Sequence, residues 1–193
     1  MLPSDAMLRL QELQTVLEVL PPQLFDDLSV AASMASASLH EGGGVYFFGN
    51  GGSAATAEHL ASELVGRFAS ERPPMRAGVL TASGAILTAL ANDYPSDELF
   101  ARQVRGLLSK RDTLVALSAS GRSRNILRAL DQGVETGCVR IGFTGSSSEE
   151  FASRCNTVLV VPSTSVPRIQ EVHLVLGHIF CELVEIFVAS ERT

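Results

Sequence analysis

The sequence predicts an α/β fold: a three-layer sandwich whose middle layer is a parallel sheet of five strands, with extra helices at the N-terminus. Two observations predict it. Short apolar runs rich in β-branched residues alternate with stretches of helical periodicity, and strands apolar on both sides belong to parallel sheets covered on both faces. Glycine- and serine-rich turns also follow several of these runs directly, at the carboxyl ends of strands, where such folds keep their ligands.

Leu8, Leu10, Leu13, Val16, Leu17 and Leu20 recur at helical spacing, and a second helical stretch runs from Pro21-Pro22 to about Leu39. "GGVYFFGN" then reads as a buried strand entering a glycine turn, with Ser53 placed to cap the helix that follows. The alternation returns as "RAGVLTAS" then "AILTALANDY", and as "DTLVALSASG" then "RNILRALDQGVE". It closes with "VRIGFTGSSS" before a short helix, and "TVLVVPS" before a long helix from about Pro167.

That last helix is apolar nearly all round, from Ile169 and Val172 through Ile179, Phe180 and Leu183 to Ile186 and Phe187. One subunit's core covers only one side of a helix at its edge, so the pattern predicts a homo-oligomer built on helix packing, with residues 1–40 contributing and Phe180 at the contact. A central helix within one subunit is the alternative.

At 193 residues and 46% hydrophobic content, the chain is long enough to bury a core and reads as one domain over 1–193. A net charge of -6 without any Lys/Arg block argues against nucleic acid and anionic membranes as partners. Cys138, Cys155 and Cys181 form no metal-ligand spacing and read as reduced core thiols. The N-terminus mixes acidic residues into its apolar positions, unlike a signal peptide, and no uncharged stretch reaches bilayer-spanning length, so a soluble cytoplasmic protein is expected.

The turn from Gly49 opens a helix, which presents backbone N–H groups to an anion. No nucleotide cofactor is expected: "RAGVLTAS" ends in Thr81 and Ser83, without the acidic residue that holds a ribose, and no Walker Gly-Lys-Ser/Thr occurs. A second turn, "SASGRS", sets Ser118, Ser120 and Ser123 around Gly121, a group of hydroxyls at a helix start that suits a phosphate monoester. His59 and Glu63, four apart, share a helix face that one metal ion or one substrate can bridge, and Thr56 and Arg67 extend the stripe. A solvated Glu/His pair is the plainer reading of those two residues alone.

"GNGGSAATAEHLASELVGRF", "ANDY", "SASGRS" and "VPS...RIQEVHLVLGHIFCELVE", in this order, resemble the sugar isomerase (SIS) fold and specifically the phosphoheptose (sedoheptulose 7-phosphate) isomerase family. The resemblance implies a homotetramer with active sites at subunit interfaces. It implies that Asn50, Gly51, Gly52, Ser53, Glu63 and Gln170 line the substrate, that Asn92 and Asp93 meet sugar hydroxyls, and that Ser118, Ala119, Ser120 and Ser123 surround the phosphate. It also implies one zinc per subunit on His59, Glu63, Gln170 and His178, with Glu63 and His178 handling protons. Gln170 and His178 are about 12 Å apart along a straight helix and must lean together to share an ion. On the residues alone His173 competes with His178.

The reaction implied is aldose/ketose isomerisation of sedoheptulose 7-phosphate to D-glycero-D-manno-heptose 7-phosphate through an enediol, the first step towards ADP-heptose and the lipopolysaccharide core. The chain departs from the family pattern at Ser83, Ala85, Ala119 and Arg122, which bears on the choice of sugar. The competing readings are an isomerase of another phosphosugar and a non-catalytic SIS-domain protein of the kind that binds the replication initiator. Members of that kind lack the glutamate and the final histidine that this chain retains.

Overall fold

The computed structural model describes residues 3–145 and 149–190. Helices α1 (Pro3–Glu18) and α2 (Pro22–His40) precede β1 (Val45–Gly49), α3 (Gly52–Val65), β2 (Ala77–Val79), α4 (Gly84–Asp93) and α5 (Glu98–Leu107). Then come β3 (Thr113–Ser118), α6 (Arg124–Thr136), β4 (Val139–Thr144), α7 (Glu149–Ala152), β5 (Thr157–Val160) and α8 (Val166–Ser190). Ser146–Ser148, the end of the "VRIGFTGSSS" stretch, lie outside the described residues.

The five strands form one parallel sheet in the order β2-β1-β3-β4-β5, as the alternation of apolar runs and helices predicts. Side chains alternate across it. Val115 and Leu117 join Phe47, Phe143, α2, α3 and α8 on one face, while Leu114 and Ala116 join Phe48, Phe100, Ile126, Leu130 and Phe151 on the other. Helix α5 falls between "AILTALANDY" and "DTLVALSASG", a stretch to which the sequence reading assigns no element; it buries Phe100, Ala101 and Val104.

Two expectations are corrected here. Ser53 does not cap α3: Gly51 stands at the N-cap with φ 55°, a backbone that suits glycine, and Ser53 lies inside the first turn. Phe180 is not at a subunit contact either. It is fully buried within one subunit, edge-on to Phe47 at 6.2 Å and to Phe143 at 6.3 Å. Helix α8 takes so much apolar surface because α2 and α3 cover it alongside the sheet, leaving Val166, Val175 and Ile186 exposed.

By length and hydropathy α8 resembles a bilayer-spanning helix, but half of its most apolar stretch is buried inside the subunit, as in a core helix. Cys138 and Cys181 are buried and Cys155 is half-buried, all three free, and burial pushes their thiols up, Cys138 to about 11.

Candidate active site

The chain passes from β1 outward to β2 and then returns to β3 on the other side, so the sheet changes direction between β1 and β3. Gly49 pairs with Leu117 there, bringing the turns after both strands side by side. Gly49 is forced by closeness: a Cβ would stand 2.7 Å from Ser53 Cβ and 2.9 Å from the Leu117 carbonyl oxygen. The two turns are tied by a reciprocal amide pair, Asn50 to Asn125 and back, at 2.9 Å each way. Asn125 is a site residue that the sequence reading misses; its only signal is its place two residues after Ser123.

A cavity opens between these turns, lined by Asn50, Ser53, Ser118, Ala119, Ser120, Ser123 and Gln170, with Leu117 and Val166 as its apolar part. Ser123 is the N-cap residue of α6, yet its hydroxyl makes no capping hydrogen bond, and Gly121 takes φ 61°. The start of α6, without a side-chain cap, therefore turns the positive end of its dipole towards three hydroxyls, an arrangement suited to a dianionic phosphate. Gln170 reaches this cavity from α8 by lying on Gly52, where an added Cβ would stand 2.6 Å from its Oε1.

A second group lies further along α3. His59 Nε2 and His178 Nε2 are 2.8 Å apart, and His59 Nε2 is 3.2 Å from Glu63 Oε1. One ligand atom from each of the three lies within 4.8 Å of the others. Two imidazole nitrogens at such a distance either share one proton or turn both lone pairs on one cation. Two nitrogens and a carboxylate oxygen with an open fourth position are a donor set that fits zinc. Gln170 lies nearer the start of α3, its amide against Gly52. His59, Glu63 and His178 are the three implied ligands whose donor atoms converge.

The meeting of α3 and α8 has a local cause. A Cβ on Gly177 would stand 2.5 Å from Leu60 Cδ1, so a larger residue there would force the buried Leu60 side chain aside at this close crossing. His59 and His178 are the immediate neighbours of Leu60 and Gly177, and the close crossing carries both rings to one place. The Phe68 ring lies 5.7 Å from that of His178.

His173 is decided the other way. It lies five residues before His178, about 140° round the helix, and is buried edge-on to Phe143 at 5.9 Å. Burial drives its pKa from 6.5 down to about 4, against a smaller opposing pull from the Thr144 backbone. A group that is neutral when folded and protonates on unfolding adds stability that is complete above pH 6.5 and lost as the pH falls towards 4. That loss is roughly 3 kcal/mol. Urea unfolding across this range should show it, and His173→Leu should flatten the acid slope; identical slopes would assign the pH dependence to other groups.

Asn92 and Asp93 are not brought to the cavity within one subunit. They end α4, are exposed, and bond to each other at 2.8 Å. Helix α4 has no buried residue despite its apolar composition.

Comparison with known proteins identifies the family. The SIS domain family model matches residues 10–145. Phosphoheptose isomerase of Thermodesulfovibrio yellowstonii is 46% identical over 154 residues, covering 80% of this chain and 77% of the relative. That of Burkholderia pseudomallei is 47% identical over 163 residues, 84% and 83% of the two chains. Among solved structures, the phosphoheptose isomerase of Neisseria gonorrhoeae superposes with a TM-score of 0.88 at 32% identity, covering 95% of this chain and 99% of the other. The Francisella tularensis phosphoheptose isomerase gives 0.84 at 32% identity, covering 95% and 98%. With the family model spanning most of the chain, near relatives aligned over four-fifths of it and the serine cavity formed at the sheet's change of direction, the chain belongs to the phosphoheptose isomerase family of SIS-domain proteins.

Proposed function

We propose that this protein is an aldose/ketose isomerase that converts sedoheptulose 7-phosphate to D-glycero-D-manno-heptose 7-phosphate through an enediol. The observation that carries this reading is the convergence of His178 of α8 with His59 and Glu63 of α3, the helix whose first turn borders the serine cavity. Ser118, Ala119, Ser120, Ser123 and the start of α6 surround the phosphate, while Asn50, Gly51, Gly52, Ser53 and Gln170 fix the adjoining chain of carbons. Glu63 takes a proton from C1 of the ketose and returns it to C2. His178 moves the compensating proton between the two oxygens.

His59, Glu63 and His178 would hold the zinc, one per subunit, and zinc bound there supplies a Lewis acid for the oxyanion of the enediol. The residues required of a neighbouring copy have a place in this reading. Asn92 and Asp93 on the uncovered α4 would meet sugar hydroxyls across a subunit interface, and the exposed Met7, Leu8, Leu10 and Leu17 of α1 offer apolar surface to the same homotetramer. The reaction belongs in the cytoplasm, where its product would feed ADP-heptose and lipopolysaccharide core synthesis.

The test is incubation of zinc-replete protein with sedoheptulose 7-phosphate and a panel of other ketose phosphates, following the aldose formed. Turnover of the heptulose phosphate is the expected result. Turnover of a different ketose phosphate alone would move the substrate, as Ala119 and Arg122 allow, and none on any would favour a binding module. Phosphorylated sugars should also bind far better than the free sugars, because charge-assisted hydrogen bonds are about twice as strong as neutral ones. Equal affinities by calorimetry would remove the phosphate cavity from this reading.

A further inference from the structure

Between Val65 and Ala77 the chain has neither helix nor strand, yet it is pinned at one point. The Glu185 carboxylate accepts hydrogen bonds from the backbone N–H of Phe68 (3.1 Å), Ala69 (3.2 Å) and Ser70 (2.7 Å), from the Ser70 hydroxyl (2.6 Å) and from Arg72 Nε (2.7 Å). Both members of the Arg72–Glu185 ion pair are nearly buried, with side chains 10% and 6% exposed, so the pair is not a loose surface contact. The rest of the Arg72 guanidinium donates to the carbonyl oxygens of Glu63 (2.9 Å), Leu64 (3.0 Å), Gly66 (3.3 Å) and Pro73 (3.2 Å). The end of α3 is thus held to the same carboxylate.

Two consequences reach the imidazole–carboxylate group. Phe68, the first residue pinned, lays its ring 5.7 Å from that of His178 at an interplanar angle of 40°. Arg72 fixes the backbone from which the Glu63 side chain projects. Glu185 also stands seven residues after His178, two turns on, so both project from the same side of α8.

We propose that Glu185, acting through Arg72 and Phe68, is the positioning residue of the His59–Glu63–His178 group: it ties the segment after α3 to α8 so that His178 and Glu63 keep the orientation metal binding and proton transfer require. This rests on the role proposed above for that group. Nothing in the local sequence signals it, since the partners are more than a hundred residues apart. Partners that orient first ligands are worth roughly ten- to a hundredfold in metal affinity or activity.

Glu185→Gln removes the charge and keeps the shape; Phe68→Leu breaks only the last link and leaves the carboxylate anchored. The first readout needs no metal. In the metal-free wild type the His178 Cε1–H proton resonance carries the ring-current displacement of Phe68, and Glu185→Gln should abolish it. The second is zinc affinity by calorimetry, expected to fall roughly tenfold to a hundredfold in both variants while inorganic phosphate binds as in the wild type. In turnover, kcat should drop with KM held. A folded Glu185→Gln protein with the wild-type His178 resonance overturns the proposal, as does Phe68→Leu with wild-type zinc affinity, which also decides the matter should Glu185→Gln fail to fold. A wild type that takes up no zinc would instead refute the metal reading of the site, with the His178 resonance still deciding the positioning role.

Discussion

Glu63→Gln lowers isomerisation by roughly two to four orders of magnitude, the usual span for general-base catalysis, while sugar-phosphate affinity is nearly unchanged. The separation of sites gives the reason. In the proposed reading the serine turn and the start of α6 hold the phosphate, and Glu63 does not line that cavity. Glutamine keeps the length of the side chain and its helix propensity, so the metal-free protein should melt within a few degrees of wild type. What is lost is the basic carboxylate 3.2 Å from His59 Nε2, and with it one of the three proposed zinc ligands. Turnover, sugar-phosphate affinity and melting temperature, each with and without zinc, separate these roles. A fall in stability confined to the zinc-loaded form reports the ligand, and a near wild-type rate would remove Glu63 as the base.

Phe180→Asp abolishes the folded subunit rather than its assembly. Phe180 has no exposed surface and fills the junction of Phe47, Phe143 and α8. Truncating such a phenylalanine costs about 3–5 kcal/mol, and a carboxylate buried without a partner adds several more. That total matches the whole stability of an ordinary domain, about 5–15 kcal/mol. Circular dichroism should show the helical signal lost or its melting transition far below wild type. A folded variant whose only change is a smaller mass in light scattering would return Phe180 to a subunit contact.

The contrast between those two residues shows how far local pattern reaches. His59 and Glu63 are legible as a pair because four residues of helix set their distance whatever the rest of the chain does. Phe180 is not, because periodicity states that α8 is apolar all round but not which neighbour covers each side. The sequence reading assigned that cover to another subunit, whereas α2, α3 and the sheet supply it over most of the helix. Ser53 shows the same limit on a smaller scale: a serine beside a helix start resembles a cap, but the positive φ of Gly51 moves the boundary two residues upstream.

By itself the sequence determined the five strands, the two polar turns and the helical pair, since apolar runs, glycine turns and four-residue spacing are all local constraints. The family resemblance names His178 as the histidine that meets that pair, but the residues alone leave His173 open, and the physical reason for the choice lies in the tertiary structure. Five residues separate His173 from His178, and rotation round α8 sends one into the core beside Phe143 and the other to His59. The bare backbone of Gly177 against Leu60 then sets how closely the helices cross. The structure likewise decided that Gln170 serves the serine cavity, and that Glu185 and Arg72, distant in the chain, anchor the segment between α3 and β2. Each of these depends on how two elements lie against each other, a relation set by packing over the whole core and written in no single stretch of residues.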